Sequence, residues 1–207
     1  MRKQSFSRPI ADAIRDHLTY LGRYFDKNEE TGVFIFHQSL PDSSIRVLRF
    51  VIDVYDDAFL LYACPDFSVD PEDCELMSRM TECVNRVNLE LWEGSFALDD
   101  RDGTLRFRLC VRCPGGRAPT PKAVQDSIQC ALAAYARFSL AFTSVVFTGE
   151  SPRKIVPMCP GREEPSTAVS ELIAECGVLV SLEAVRKYLA ELQKPGDDDD
   201  SDSAIPF

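Results

Sequence analysis

Residues 94–112, GSFALDDRDGTLRFRLCVR, carry the clearest strand pattern in the chain. From residue 104 to residue 111, polar and apolar side chains alternate without a break, which is the period of a half-buried strand. The apolar positions are Leu105, Phe107, Leu109 and Val111. Asp99–Gly103 supplies a turn, and Trp92, Phe96 and Leu98 alternate before it. The stretch therefore predicts an antiparallel hairpin.

Three more strand-like runs precede this hairpin. They cover residues 33–38, 45–54 and 58–64 and are rich in aromatic and β-branched residues. The first connection contains Pro41, and the second contains Asp56-Asp57. Connections this short favour antiparallel neighbours, so we expect a meander.

Three amphipathic helices flank the strands. The first carries Pro9 near its first turn, the second is predicted to begin with Asp70 as N-cap and Pro71, and the third follows Thr120-Pro121 and ends near Gly149. Their apolar faces are formed by Ile10, Ile14, Leu18, Leu21 and Phe25 in the first, by Leu76, Met80, Cys83 and Val87 in the second, and by Val124, Ile128, Ala131, Tyr135, Phe138 and Phe142 in the third. The expected fold is α+β and two-layer, in the order α-β-β-β-α-β-β-α, with an antiparallel sheet and a C-terminal helical extension.

The predicted domain spans residues 6–150, and three segments follow it. Residues 151–165 contain four prolines and are interpreted as a linker. Residues 166–194 predict two short amphipathic helices. Residues 195–207 hold five aspartates and no basic residue, which predicts a disordered acidic tail.

Charge and hydropathy argue against several classes of partner. The chain carries 33 acidic and 23 basic side chains, a net charge of −10. We therefore expect no nucleic-acid partner and no anionic membrane surface, since both need a basic face. The most apolar long window, residues 130–147, contains Arg137 and makes a poor membrane span. No apolar run of signal-peptide length follows the basic N-terminus, so we expect a cytoplasmic protein.

Half of the net charge of −10 lies in residues 195–207, so the rest of the chain is only mildly acidic. Arg106 and Arg108 fall on one face of a predicted strand. They could form a local basic stripe that the charge of the whole chain hides.

The sequence contains no motif of a familiar catalytic or phosphate-binding site, and we expect no catalytic residue, cofactor or metal. The alternative is a small-ligand sensor or an enzyme whose site is assembled from distant residues, with His17 or His37 beside a carboxylate. Eight cysteines include one CxxC pair, Cys110 and Cys113. Reduced apolar thiols are the simpler interpretation, and a thiol switch at this pair is the alternative.

The first three predicted strands are apolar on both faces. A sheet covered by helices on one side needs only one such face. The second face is then covered by the C-terminal segments (residues 166–192), by a second copy of the chain, or by a protein client. The residues predicted to bind a partner are Phe34, Phe36, Leu48, Phe50 and Ile52.

The order of elements and several soft motifs resemble the YbjN family. The motifs are Asn85-Arg86-Val87-Asn88 at the end of the second helix, residues 94–99 with the acidic turn and Gly103–Arg108 after them, and the last helix with Ala134, Phe138 and Phe142. The resemblance spans residues 6–150 and implies a fold like that of type III secretion chaperones, often dimeric, with no known catalytic residues. It implies a regulator that binds protein segments, so the predicted function is a non-enzymatic protein-binding domain, chaperone-like or regulatory.

Overall fold

Six antiparallel strands form one sheet, and helices pack on one of its faces. The structure is a computed structural model, and it describes residues 5–160. The strands are β1 (Phe25–Asn28), β2 (Val33–Ser39), β3 (Val47–Val54), β4 (Ala58–Pro65), β5 (Ser95–Leu98) and β6 (Leu105–Arg112). The helices are α1 (Arg8–Tyr20), α2 (Cys74–Asn88), α3 (Pro121–Thr143) and α4 (Pro152–Ile155), with 3₁₀ turns at Pro114–Gly116 and Val156–Met158 and a π turn at Ser144–Thr148.

The strands lie in the order β1-β2-β3-β4-β6-β5. Every neighbouring pair is antiparallel. The predicted α+β, two-layer fold and its meander are confirmed, with one strand more than expected.

The first helix is shorter than its apolar periodicity predicts. It begins after Ser7, whose hydroxyl oxygen accepts a hydrogen bond from a backbone N–H in the first turn, and it ends at Tyr20. Gly22 adopts a left-handed conformation, with φ of +64°, that ends the helix. Phe25, predicted on the helix, therefore lies in β1 and pairs with Phe36 of β2. The prediction was wrong here because a phenylalanine at that spacing fits a helix or a strand equally well.

The second helix begins three residues later than predicted. Asp73 caps it, and its Oδ1 accepts a hydrogen bond from the backbone N–H of Leu76 at 2.9 Å. Asp70 instead accepts one from the backbone N–H of Glu72, within the turn that precedes the helix. Both aspartates are suitable N-cap residues, and Pro71 favoured the wrong one.

The third helix follows its prediction closely. The Thr120 hydroxyl oxygen accepts a hydrogen bond from the backbone N–H of Ala123 at 3.1 Å, and a proline occupies the first turn. The helical stretch Pro121–Thr148 has the length and hydropathy of a membrane span. Here it is the core helix of the domain, and the Tyr135 hydroxyl donates a hydrogen bond to the backbone oxygen of Ala63 at 2.9 Å.

The domain extends beyond residue 150. The α4 helix contacts α2 and α3, and the compact unit runs to Pro160. Four of its last residues are buried, namely Pro152, Ile155, Val156 and Cys159. Residues 151–160 are therefore part of the domain and not of a linker, because the apolar residues between the prolines pack on the core. The predicted helices of 166–194 and the acidic tail of 195–207 lie outside the described residues.

Aromatic side chains join the hairpin to the core helix. The ring of Phe96 on β5 lies edge-on to Tyr135 and Phe142 of α3, with centroids 4.9 and 4.8 Å apart. Trp92, predicted to share this strand face, is 80% exposed. Gly94 turns the chain with φ of +71° before β5 begins, so the strand alternation does not reach back to Trp92.

Candidate functional site

The five residues predicted to form a partner surface lie on the inner face of the sheet. Phe34, Phe36, Leu48, Phe50 and Ile52 are each at most 1% exposed and belong to the same core as the apolar residues of α1 and α3. The rings of Phe36 and Phe50 stack with centroids 5.0 Å apart. The prediction that these side chains are exposed was wrong, because the chain's own helices cover this face.

We call the opposite side of the sheet the outer face. Its centre carries apolar side chains, and no helix of residues 5–160 packs on it. The apolar residues are Val33, Ile35, Val51, Leu60 and Tyr62, all half-buried, and Val47, which is 37% exposed. Ile35, Val51 and Tyr62 lie side by side across β2, β3 and β4. We call the six apolar residues together the apolar strip, which crosses the middle of the sheet.

A simple signal in the sequence marks the outer face. Arg49 and Asp53 have the same strand parity as Val47 and Val51, and charged residues point to solvent. The opposite parity of β3, residues 48, 50, 52 and 54, holds no polar side chain. Counting charges by parity, rather than apolar residues, assigns the two faces correctly.

Four arginines lie next to the apolar strip on the outer face. Arg49 on β3 and Arg106, Arg108 and Arg112 on β6 all share the outer face, with His37 beside Arg49 across the ladder. The basic stripe expected from Arg106 and Arg108 is therefore present, and strand β3 contributes Arg49 to it. It contrasts with the net charge of −10 of the whole chain.

Two of the four arginines already have carboxylate partners. Arg106 lies 2.8 Å from an oxygen of Asp99, and Arg112 lies 3.0 Å from an oxygen of Asp57. Among residues 5–160, no carboxylate lies within 4.0 Å of the guanidinium groups of Arg49 and Arg108, which are both exposed. These two cations are the ones open to an anionic group.

The β5–β6 turn holds Arg106 in place. The Asp99 carboxylate accepts hydrogen bonds from the side chain and backbone of Arg101 and from Arg106. These bonds, above all the one from the Arg101 side chain, hold the pKa of Asp99 well below its usual range. The acidic turn is therefore a structural element of the hairpin.

The two histidines occupy very different positions. His17 is buried, and its Nε2 lies 3.2 Å from Oε1 of Gln125, so it links α1 to α3 through an amide and not a carboxylate. His37 is exposed and lines a shallow cleft of about 330 Å³ at the end of the outer face, together with Arg49 and Asp66. The expected pairing of a histidine with a carboxylate is therefore not formed at His17. At His37, the Asp66 carboxylate lies in the same cleft as the imidazole.

The CxxC pair does not have the geometry of a disulfide. Cys110 is exposed on β6, whereas Cys113 is buried just after the strand ends. Three extended residues span about 10 Å, well beyond the Cα separation of a disulfide. Among the described residues, no group of three or more His, Cys, Asp or Glu is arranged to hold a metal ion.

Comparison with known proteins identifies the family. Residues 39–144, half of the chain, match the YbjN family model, described as "Putative bacterial sensory transduction regulator". A solved structure described as "Crystal structure of YbjN, a putative transcription regulator from E. coli" is 18% identical, with a TM-score of 0.44. The match covers 65% of this chain and 94% of that one. No curated protein matches the chain. The chain belongs to the YbjN family.

Proposed function

We propose that the chain is a non-enzymatic regulatory domain that acts in the cytoplasm and binds a segment of another protein on the outer face of its sheet. One observation carries this proposal: the centre of that face is apolar and no helix of residues 5–160 packs on it. The family description as a regulator supports the regulatory part.

The physical reason lies in how antiparallel sheets meet water. Where one face is solvated, its side chains are normally polar. Strand β6 follows this rule on the outer face with Arg106, Arg108 and Arg112, but β4 is apolar there and β2 and β3 are apolar at half of their outward positions. A contiguous apolar strip on a sheet is typical of an interaction surface. Burying it releases about 25 cal/mol for each Å² of apolar area removed from water.

The surface also suits a segment better than a small molecule. The strip extends across three strands of an open sheet, whereas ligand sites are concave and enclose most of their ligand. The shallow cleft at His37 lies at one end of this face, where a bound segment could place a side chain.

The experiment compares four forms of the full chain as bait in a lysate of the native host: wild type, two variants of the strip and one control. Val51→Glu puts a charge in the middle of the strip, and Gln129→Glu puts the same charge on an exposed position of α3. We expect a protein that the wild-type chain and Gln129→Glu retain and Val51→Glu loses. Ile35→Glu is a second strip variant, and urea unfolding confirms that each variant is folded. Equal retention by all forms would contradict the proposal.

A further inference from the structure

We propose that the segment bound on the outer face is acidic, with two carboxylates that flank an apolar residue, and that Arg49 and Arg108 bind those carboxylates. This inference rests on the proposed function, and it adds the chemistry of the partner.

The four arginines of the outer face fall into two classes. Asp99 and Asp57 hold Arg106 and Arg112, as surface ion pairs within the domain. Within residues 5–160, Arg49 and Arg108 have no such carboxylate. An arginine binds a carboxylate through two parallel hydrogen bonds, which gives both strength and orientation. The exposed pair is therefore suited to carboxylates supplied from outside.

Arg49 and Arg108 lie diagonally across β4 from each other. Arg49 lies opposite Cys64, and Arg108 lies opposite Tyr62, with β4 between their strands. Two strand spacings across the sheet and two residues along it separate their Cα atoms by about 12 Å. Tyr62 lies on β4, between the two strands that carry the arginines, and next to Val51. The pair thus flanks the apolar strip diagonally.

An extended segment of a partner can match the spacing of the two arginines. In an extended segment, residues i, i+2 and i+4 face the same way, and i and i+4 lie about 13 Å apart. Carboxylates at i and i+4 can then reach the two arginines while an apolar side chain at i+2 covers Tyr62. The structure therefore favours the pattern acid-x-apolar-x-acid.

Two acidic residues of the outer face support the same orientation, and Asp66, in the cleft beside Arg49, forms no ion pair with it. Asp26 and Asp53 lie on the side of the strip toward β1 and β3, away from β6, and the Asp53 carboxylate already accepts a hydrogen bond from the Tyr55 hydroxyl at 2.8 Å. They would repel an acidic segment there. The favourable position is over β4, between Arg49 and Arg108.

Cys64 reports the local field of the arginines. It is 6% exposed, and burial raises the pKa of its thiol. The guanidinium groups of Arg49 and Arg106 act on that pKa in the opposite direction, as positive charges close to the thiol do, and the Asp102 carboxylate raises it. Both arginines therefore lie near Cys64 on the outer face.

The test is a peptide-display selection on the immobilised full chain, followed by affinity measurements with the selected peptides. Four proteins are compared: wild type, Arg49→Gln/Arg108→Gln, Val51→Glu, and Arg117→Gln, which removes an exposed arginine from the loop before α3. We expect enrichment of paired acidic residues four positions apart. We also expect about a hundredfold or greater loss of affinity in the double variant, since each arginine contributes about tenfold or more, and no change in Arg117→Gln.

Each other outcome overturns a different statement. Neutral or basic peptides that bind the double variant normally but fail to bind Val51→Glu contradict the acidic partner and leave the proposed function standing. Peptides that bind Val51→Glu as well as wild type contradict the proposed function itself. Self-association in sedimentation that Val51→Glu abolishes makes a second copy the occupant. Salt-sensitive binding of a DNA or RNA oligonucleotide that the double variant loses assigns the arginines to phosphates.

Discussion

The side-chain amide of Asn88 forms two hydrogen bonds with the backbone of Phe96. Its Nδ2 donates to the Phe96 oxygen at 2.9 Å, and its Oδ1 accepts from the Phe96 N–H at 2.8 Å. The last residue of α2 thereby satisfies both backbone groups of Phe96 at the free edge of β5. Because an edge strand is a template for pairing with another chain, this closure disfavours strand addition at that edge.

Asn88→Ala should destabilise the domain by about 1–3 kcal/mol, because it leaves a partly buried backbone N–H and C=O without partners. The measurement is urea unfolding, read as a change in midpoint at constant m-value. Asn85→Ala, an exposed position one turn earlier on the same helix, is the control and should change stability by less than about 0.5 kcal/mol. Equal effects of the two substitutions would show that the Asn88 bonds contribute nothing.

Gly103→Ala should be far more damaging than Gly115→Ala. Both glycines have φ of +67°, so both substitutions carry the left-handed backbone penalty of about 1–2 kcal/mol. A Cβ at Gly103 would lie 1.6 Å from the backbone oxygen of Val69, whereas a Cβ at Gly115 meets nothing within 4 Å. We expect a loss of roughly 3 kcal/mol or more at Gly103. Thermal unfolding of both variants measures the difference, and similar melting temperatures would refute the close approach of Val69.

The Asp99 carboxylate should make the domain sensitive to acid. The pKa of Asp99 in the folded chain lies below its ordinary value of 3.8. The ionised carboxylate therefore stabilises the domain fully above pH 3.8, and this stabilisation is lost as the pH falls below 3.8. The stability difference between wild type and Asp99→Asn should be constant from pH 5 to 7 and shrink below about pH 4. Asp100→Asn is the neighbouring control. A difference that does not vary with pH would contradict the role of Asp99 in the turn.

The seven described cysteines should react with iodoacetamide in the order of their exposure. Cys74 and Cys110 are exposed, whereas burial raises the pKa of Cys83 to about 12 and that of Cys130 to about 11. Since the thiolate is the reactive form, Cys83 should be labelled last at pH 8. Peptide mass spectrometry after timed labelling measures the order. As a control, we expect all seven of these cysteines to be labelled at similar rates when the chain is unfolded in denaturant. Labelling of Cys83 as fast as Cys110 in the folded chain would be inconsistent with its burial.

The sequence predicts the elements of this fold better than their relations. The hairpin of residues 94–112 and the caps of α3 follow from alternation and capping chemistry, because both are local. Strand β1 was missed because four residues are too few to show a period. The choice of inner face was wrong because both faces of β3 carry apolar side chains, and the charges of Arg49 and Asp53, which mark the outer face, were not counted.

The candidate site depends on the same long-range relations. Arg49 and Arg108 come together across β4 although 59 positions separate them in the sequence. No local pattern reports such a juxtaposition. The ion pairs that neutralise Arg106 and Arg112 are equally invisible in sequence, and they decide which arginines stay open.

Binding of another protein on the outer face is tested most directly by photo-crosslinking in living cells. The full chain carries the photoreactive residue p-benzoylphenylalanine at position 51, on the outer face, or at position 129, on exposed α3. We predict a covalent adduct with a different protein from position 51 and none from position 129. An adduct from position 129 alone, an adduct between two copies of the chain from position 51, or no adduct at position 51 would contradict binding of a partner protein on this face.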